Sequence, residues 1–157
     1  MPSPREAPQS LKQQMDETVE AVNKTITRLL PETDLPEAKL YEAMRYGTLN
    51  GGKRLRPFLV MQSAKLFNVD RSRARRVAAA LEFVHCYSLI HDDLPAMDDA
   101  SMRRGKPATH KEYDEATAIL AGDALLALSF EVLADPETHE DPHVRCQLVS
   151  KLAEAAG

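Results

Sequence analysis

"RVAAALEFVHCYSLIHDDLPAMDDASMRRG", residues 76–105, reads as a helix that runs into a loop carrying four aspartates within eight positions. At about 100° per residue, Leu81, His85, Ser88 and Asp92 fall along one helical face, with His85 and Asp92 two turns apart. Asp93 lies to one side, and Pro95 disrupts the helix, so that Asp98 and Asp99 can fold back toward Asp92. Carboxylates packed this closely repel one another, and at neutral pH most of them stay ionised. A cation is the natural counterweight. The donors are hard oxygens with no cysteine and no paired histidine, which favours Mg²⁺, Mn²⁺ or Ca²⁺ over zinc. No EF-hand loop is present, and Mg²⁺ takes one or two carboxylates and completes its shell with water and phosphate. Arg103 and Arg104 follow closely enough to meet the remaining phosphate charge. A solvated acidic loop is the rival reading, but this loop joins two strongly apolar helices.

Working outward, helical periodicity continues in both directions. Leu11, Met15, Val19, Val22, Ile26, Leu29 and Leu30 predict a helix that stops at Pro31. Asp34 and Pro36 suggest the cap and first turn of a second helix, ending near Gly47. "NGG" at 50–52 is a turn, and "PFLVMQSAKLF" predicts a third helix from Pro57 to about Phe67. The helix carrying His85 begins near Ser72. "EYDEATAILAGDALLALSFEVLA" predicts a long buried helix, and Asp141–Pro142 opens a last one. No sustained period-two alternation occurs, so the fold class is all-α. The helices are too apolar to be covered by this chain alone.

Composition narrows the function classes. A net charge of −4 over 157 residues argues against nucleic-acid binding. Two cysteines, Cys86 and Cys146, make no disulfide framework. The Pro-rich residues 1–9 read as a disordered leader and carry no apolar signal segment. The longest nearly apolar run, "AILAGDALLALSF", is short for a bilayer and contains Asp123. The expectation is a soluble, cytoplasmic protein without membrane insertion.

"GTLNGGKR", 47–54, matches seven positions of a phosphate loop, but Arg54 replaces the metal-binding hydroxyl, and a helix rather than a strand precedes it. Nucleotide binding is rejected. Lys53, Arg54 and Arg56 nevertheless gather charge beside a glycine pair at a helix start, where anions are favoured; a solvated basic turn would look the same. Glu82 and His85 form Glu-x-x-His, a di-metal motif that here lacks a second copy on a helix. His85 and Cys86, adjacent on a helix, point apart and make a poor nucleophile pair.

Together the motifs resemble those of the trans-isoprenyl diphosphate synthases, most nearly the bacterial farnesyl type. "GGKRLRP" resembles the basic motif and "DDLPAMDD" the longer form of the first aspartate-rich motif, with "MRRGKPATH" and "AILAGDALL" in the expected places. The likeness runs from about Leu40 to the chain end. It implies an isoprenoid-synthase helical bundle around a central cavity, assembled as a homodimer. Lys53, Arg56, His85 and Arg104 would hold isopentenyl diphosphate. Asp92 and Asp98 would bind Mg²⁺, with Asp93 and Asp99 supporting them, and Arg103 would meet the allylic diphosphate. Dimethylallyl or geranyl diphosphate would ionise, the isopentenyl double bond would attack, and proton loss would end the step. The catalytic set implied is Asp92, Asp98 and Arg103.

The resemblance also implies a chain-length floor. Ser88 points most directly down the face below Asp92, whereas Tyr87 lies about 140° away; an aromatic at the Tyr87 position goes with a fifteen-carbon product. The family's second aspartate-rich motif is not in 10–157, so these residues are expected to be the N-terminal part of one domain, inactive alone. The alternatives are a non-catalytic helical paralogue binding a synthase subunit or diphosphate, and a geranylgeranyl diphosphate synthase.

Overall fold

Ser10 accepts from the Gln13 backbone N–H at 3.2 Å, while the Gln13 side chain accepts from the Ser10 N–H at 2.8 Å. This reciprocal cap starts α1, Leu11–Leu29. The computed structural model describes residues 10–157; the leader expected over 1–9 lies outside the described residues. α1 buries Val22 and Ile26, ending, as the periodicity predicts, just before Pro31.

The second helix differs from expectation at both ends. α2 spans Ala38–Leu49, because the chain first makes a turn in which Ala38 N–H donates to Leu35 O at 2.9 Å. Asp34 therefore caps nothing. Gly47 lies inside the helix rather than ending it, and a Cβ there would come within 2.5 Å of Ile90 Cδ1. It is a close-packing glycine. α3 covers Leu55–Leu66 and starts two residues before Pro57.

α4, Arg71–Asp92, is capped by Asp70, whose carboxylate accepts from the Ser72 and Arg73 N–H groups. Its buried face is built largely of Ala74, Ala78, Ala79 and Ala80, which lets α1, α2 and α3 pack against it on different sides. After the aspartate loop comes a hairpin that period-two reading misses, because its strands are only two residues each. β1, Met102–Arg103, pairs antiparallel with β2, Lys106–Pro107. Arg104 and Gly105 between them both have positive φ, 52° and 79°, as the tight twisted hairpin turn requires.

The predicted long helix is interrupted. Short α5, Thr109–Glu112, is separated by Tyr113 and Asp114 from α6, Glu115–Ala134. Asp114 caps α6 through the Thr117 N–H at 2.7 Å, and Lys39 beside it helps hold its carboxyl down at about 2. At 20 residues α6 is, by length and composition, apolar enough to cross a membrane, which the shorter apolar run within it conceals. It lies along α4, burying Ala118, Ala121 and Leu125 while leaving Ile119 and Leu120 exposed. It is not buried on all sides. α7, Pro142–Ala156, starts at Asp141 as predicted.

Candidate functional site

The basic turn and the aspartate loop meet at the C-terminal half of α4. Gly51 and Gly52 have φ of 83° and 117°, angles that side-chain-bearing residues rarely adopt. The Arg104 guanidinium lies over Gly52, where a Cβ would sit 2.7 Å from Cζ, and its Nη1 donates to Gly51 O at 2.5 Å. Lys106 of the same hairpin donates to Asn50 Oδ1 at 2.8 Å, so two hairpin residues hold the turn.

Arg54 does not serve as an exposed cation. Its side chain is 0% exposed and pairs at 2.7 Å with Glu82, itself 2% exposed. Arg54 Nε donates to Asn23 Oδ1 at 3.0 Å and Nη2 to Thr48 O at 2.6 Å. The three-cation turn expected from sequence is therefore a two-cation turn, with Lys53 and Arg56 outside and Arg54 anchoring α1, α2 and α4 beneath it. The same pairing removes Glu82 from any di-metal centre. A glutamate between Leu81 and Phe83 on a buried helix was the signal that an internal cation had to exist.

His85 lies half-buried one turn beyond Glu82. Burial pushes its pKa below the ordinary histidine value, the Arg56, Arg104 and Arg103 charges push it further, and Glu82 opposes them. His85, Arg56 and Arg104 thus share one cationic neighbourhood. Cys86 beside it is buried, and that burial, with Glu82 nearby, pushes its thiol up to about 12. It is no nucleophile. Lys53, exposed on the same turn, also borders a recess against α1 residues Leu11, Met15 and Val19.

The aspartate loop folds back as Pro95 suggests. Asp98 N–H donates to Asp92 O at 2.8 Å, and Ala100 N–H to Asp93 O at 3.1 Å, while Asp99 takes a left-handed φ of 48°. The four carboxylates separate into different roles. Asp93 is 2% exposed and receives Arg103 in a two-pronged contact, Nε at 3.0 Å and Nη2 at 2.5 Å. Asp92 is half-buried and Asp98 exposed. Arg103 is held protonated first by the Asp93 hydrogen bonds, against its partial burial, and then by the charges of Asp93, Asp92 and Asp98.

Among the described residues, no three His, Cys, Asp or Glu side chains form a ready metal cage. Asp93 is already committed to Arg103, whereas Asp92 is half-buried, Asp98 and Asp99 are exposed, and the charges of Asp92 and Asp98 also act on Arg103. Uncommitted carboxylates of this kind fit Mg²⁺, which fills its shell from water and substrate phosphate, better than they fit a metal needing an all-protein cage.

Below Asp92, Ser88 Oγ donates to His85 O at 2.8 Å, turning the hydroxyl back onto its own helix. Tyr87 meets His91 edge-to-face, with ring centroids 5.6 Å apart and planes at 81°.

A sequence profile of the Polyprenyl synthetase family matches residues 37–156. The chain is 45% identical over 146 residues to the farnesyl diphosphate synthase of Escherichia coli strain K12, covering 92% of this chain and 49% of that protein. It is 44% identical over 147 residues to geranylgeranyl pyrophosphate synthase 12, chloroplastic, of Arabidopsis thaliana, covering 93% of this chain and 40% of that one. Among solved structures, an FPP/GFPP synthase from Zymomonas mobilis superposes with a TM-score of 0.91 at 50% identity, over 94% of this chain and 53% of that one. The chain spans about half the length of these relatives.

Proposed function

This chain belongs to the polyprenyl synthetase family, with the all-α fold of the isoprenoid synthases it superposes on, and from that premise we propose that the protein it forms part of is a prenyltransferase joining isopentenyl diphosphate to an allylic diphosphate. The observation that carries this reading is that a basic group and an acidic group meet at the C-terminal half of α4. His85 on α4 feels the charges of Arg56, Arg104 and Arg103, and Arg104 holds the glycine turn; two turns along, the loop after Asp92 folds back on it through the Asp98 N–H, and Arg103 is pinned to Asp93 beside it. A site for one diphosphate alone has no use for both.

Arg56, His85 and Arg104 hold isopentenyl diphosphate, joined by Lys53 from the outer side of the same turn. Asp92 and Asp98 hold Mg²⁺, which when bound supplies positive charge to the departing diphosphate. Arg103 keeps one guanidinium nitrogen, Nη1, free of Asp93 and offers it to the allylic diphosphate. As the allylic C–O bond breaks, the leaving group's charge falls among preorganised donors, where stabilisation is greatest. The isopentenyl double bond attacks the allylic carbon, and loss of a proton restores a double bond.

We read Tyr87 as the floor that stops the growing chain below Asp92, which would give farnesyl diphosphate from dimethylallyl or geranyl diphosphate. Likeness to geranylgeranyl pyrophosphate synthases of Arabidopsis thaliana supports a second reading, a twenty-carbon product. The enzyme is a cytoplasmic homodimer, for which the exposed Ile119 and Leu120 of α6 offer an apolar edge. Residues 10–157 supply the N-terminal part of the domain. The test uses the full-length protein with labelled isopentenyl diphosphate, geranyl diphosphate and Mg²⁺, followed by chromatography of dephosphorylated products. Farnesol is expected; geranylgeraniol as the end product supports the second reading, and no Mg²⁺-dependent incorporation refutes both.

A further inference from the structure

His91 precedes the first metal-binding aspartate, yet its ring turns away from the loop toward α6. Its Nε2 lies 3.0 Å from Ile119 O, and since a carbonyl only accepts, Nε2 carries the proton and donates. Asp123 Oδ1 is 3.8 Å from the same nitrogen. The ring occupies the space that a side chain at position 122 would need. A Cβ on Gly122 would sit 2.1 Å from His91 Nε2 and 2.4 Å from Cδ2. Gly122 is thus a seat for an imidazole, and the hydrogen bond to Ile119 O keeps the imidazole in it.

Tyr87 lies one helical turn before His91. Side chains on a helix lean toward its N-terminus, so His91 leans back over Tyr87, and the two rings meet edge-to-face at 5.6 Å. A tyrosine in a helix has two common χ1 positions, and the edge-to-face contact favours the one that Tyr87 adopts here. The link from α6 to Tyr87 is continuous: Gly122 admits the His91 ring, Ile119 O orients it, and the ring sets Tyr87.

The geometry points to His91, seated on Gly122, as a positioning residue that sets product length by fixing the orientation of the Tyr87 ring. This rests on the reading of Tyr87 as the channel floor, and it adds a requirement that reading does not contain. The floor belongs to two helices, so its position depends on the α4–α6 spacing as well as on the aromatic side chain.

The experiment compares end products of the full-length enzyme and its Tyr87→Ala, His91→Ala, His91→Phe and Tyr87→Ala/His91→Ala variants, each as a ratio of twenty- to fifteen-carbon alcohol. The ratios are read at equal consumption of isopentenyl diphosphate, because the twenty-carbon product forms by elongation of the fifteen-carbon one. His91→Ala is expected to raise it roughly two- to tenfold, the weight of one edge-to-face ring contact. His91→Phe, which keeps a ring against Tyr87 but loses the hydrogen bond to Ile119 O, should recover part of the shorter product, and the double variant should match Tyr87→Ala alone. If Tyr87→Ala lengthens the product but His91→Ala does not, His91 has no such role while the floor stands. Lengthening by both that adds in the double variant makes His91 a separate wall and overturns the proposal. If Tyr87→Ala itself stops at fifteen carbons, the floor reading falls and this inference with it. Gly122→Ala is the second probe if His91→Ala does not fold: it too should raise the ratio by unseating the ring, and an unchanged ratio counts against the proposal.

Discussion

Replacing Glu82 by leucine would leave the Arg54 guanidinium charged, fully enclosed and without its counter-ion. The pair is 2.7 Å apart with side chains 0% and 2% exposed, so neither partner can turn to solvent for relief. Removing one member of a buried pair destabilises by about 3–5 kcal/mol, and we expect that loss for Glu82→Leu and for Arg54→Met separately. The double variant carries no buried charge. It still orphans Asn23 Oδ1 and loses the donor to Thr48 O, so its expected loss is ~1–3 kcal/mol. The second substitution should therefore restore stability in the background of the first. Urea unfolding of the four full-length proteins gives the cycle directly. Single losses that add in the double variant, or a Glu82→Leu loss below ~1 kcal/mol, would refute the reasoning, since an enclosed charge cannot lose its partner so cheaply.

Asp92→Ala and Asp98→Ala are each expected to lower turnover by orders of magnitude with the helical fold retained by circular dichroism; near-normal turnover at saturating Mg²⁺ in both would remove them as metal ligands. Arg56→Ala should chiefly raise the KM for isopentenyl diphosphate, and Arg103→Ala that for the allylic partner. Equal effects on both substrates would contradict two separate pockets. His85 has its pKa depressed by burial and by Arg56, so below about pH 6.5 the unfolded chain binds a proton that the folded chain does not. The resulting loss of stability should begin as pH falls through that value and should be smaller in His85→Gln, measured as the difference in denaturation midpoint between the two proteins across pH 5–8.

The aspartate loop was legible because its chemistry is local. Four carboxylates and a proline within eight residues state both the charge problem and the bend that gathers it. Helix type was equally legible, since apolar spacing along α1 and α4 has one good solution. What escaped depends on distant partners. Arg54 looks identical to Lys53 and Arg56 in sequence; only Asn23, 31 residues earlier, and Glu82, 28 later, take it inside. Gly47 resembles a helix terminator until Ile90 is placed against it. The division of labour between Asp92 and Asp93 needed the hairpin, whose two-residue strands are too short to show any alternation.

That hairpin sends two consecutive arginines to opposite errands. Arg103, in β1, reaches Asp93 in the acidic half, while Arg104, at the turn, reaches Gly51 in the basic half. The arrangement makes the segment intolerant of changes in length. Inserting or deleting one uncharged residue between Ala100 and Arg103 would shift Arg103 off Asp93 and Arg104 off Gly51 together, while leaving net charge and helices unchanged. Spacing, rather than the presence of two arginines, is the quantity on which drift in this loop should be constrained, and a paralogue that had abandoned the reaction would be expected to show its first losses as single-residue gaps here.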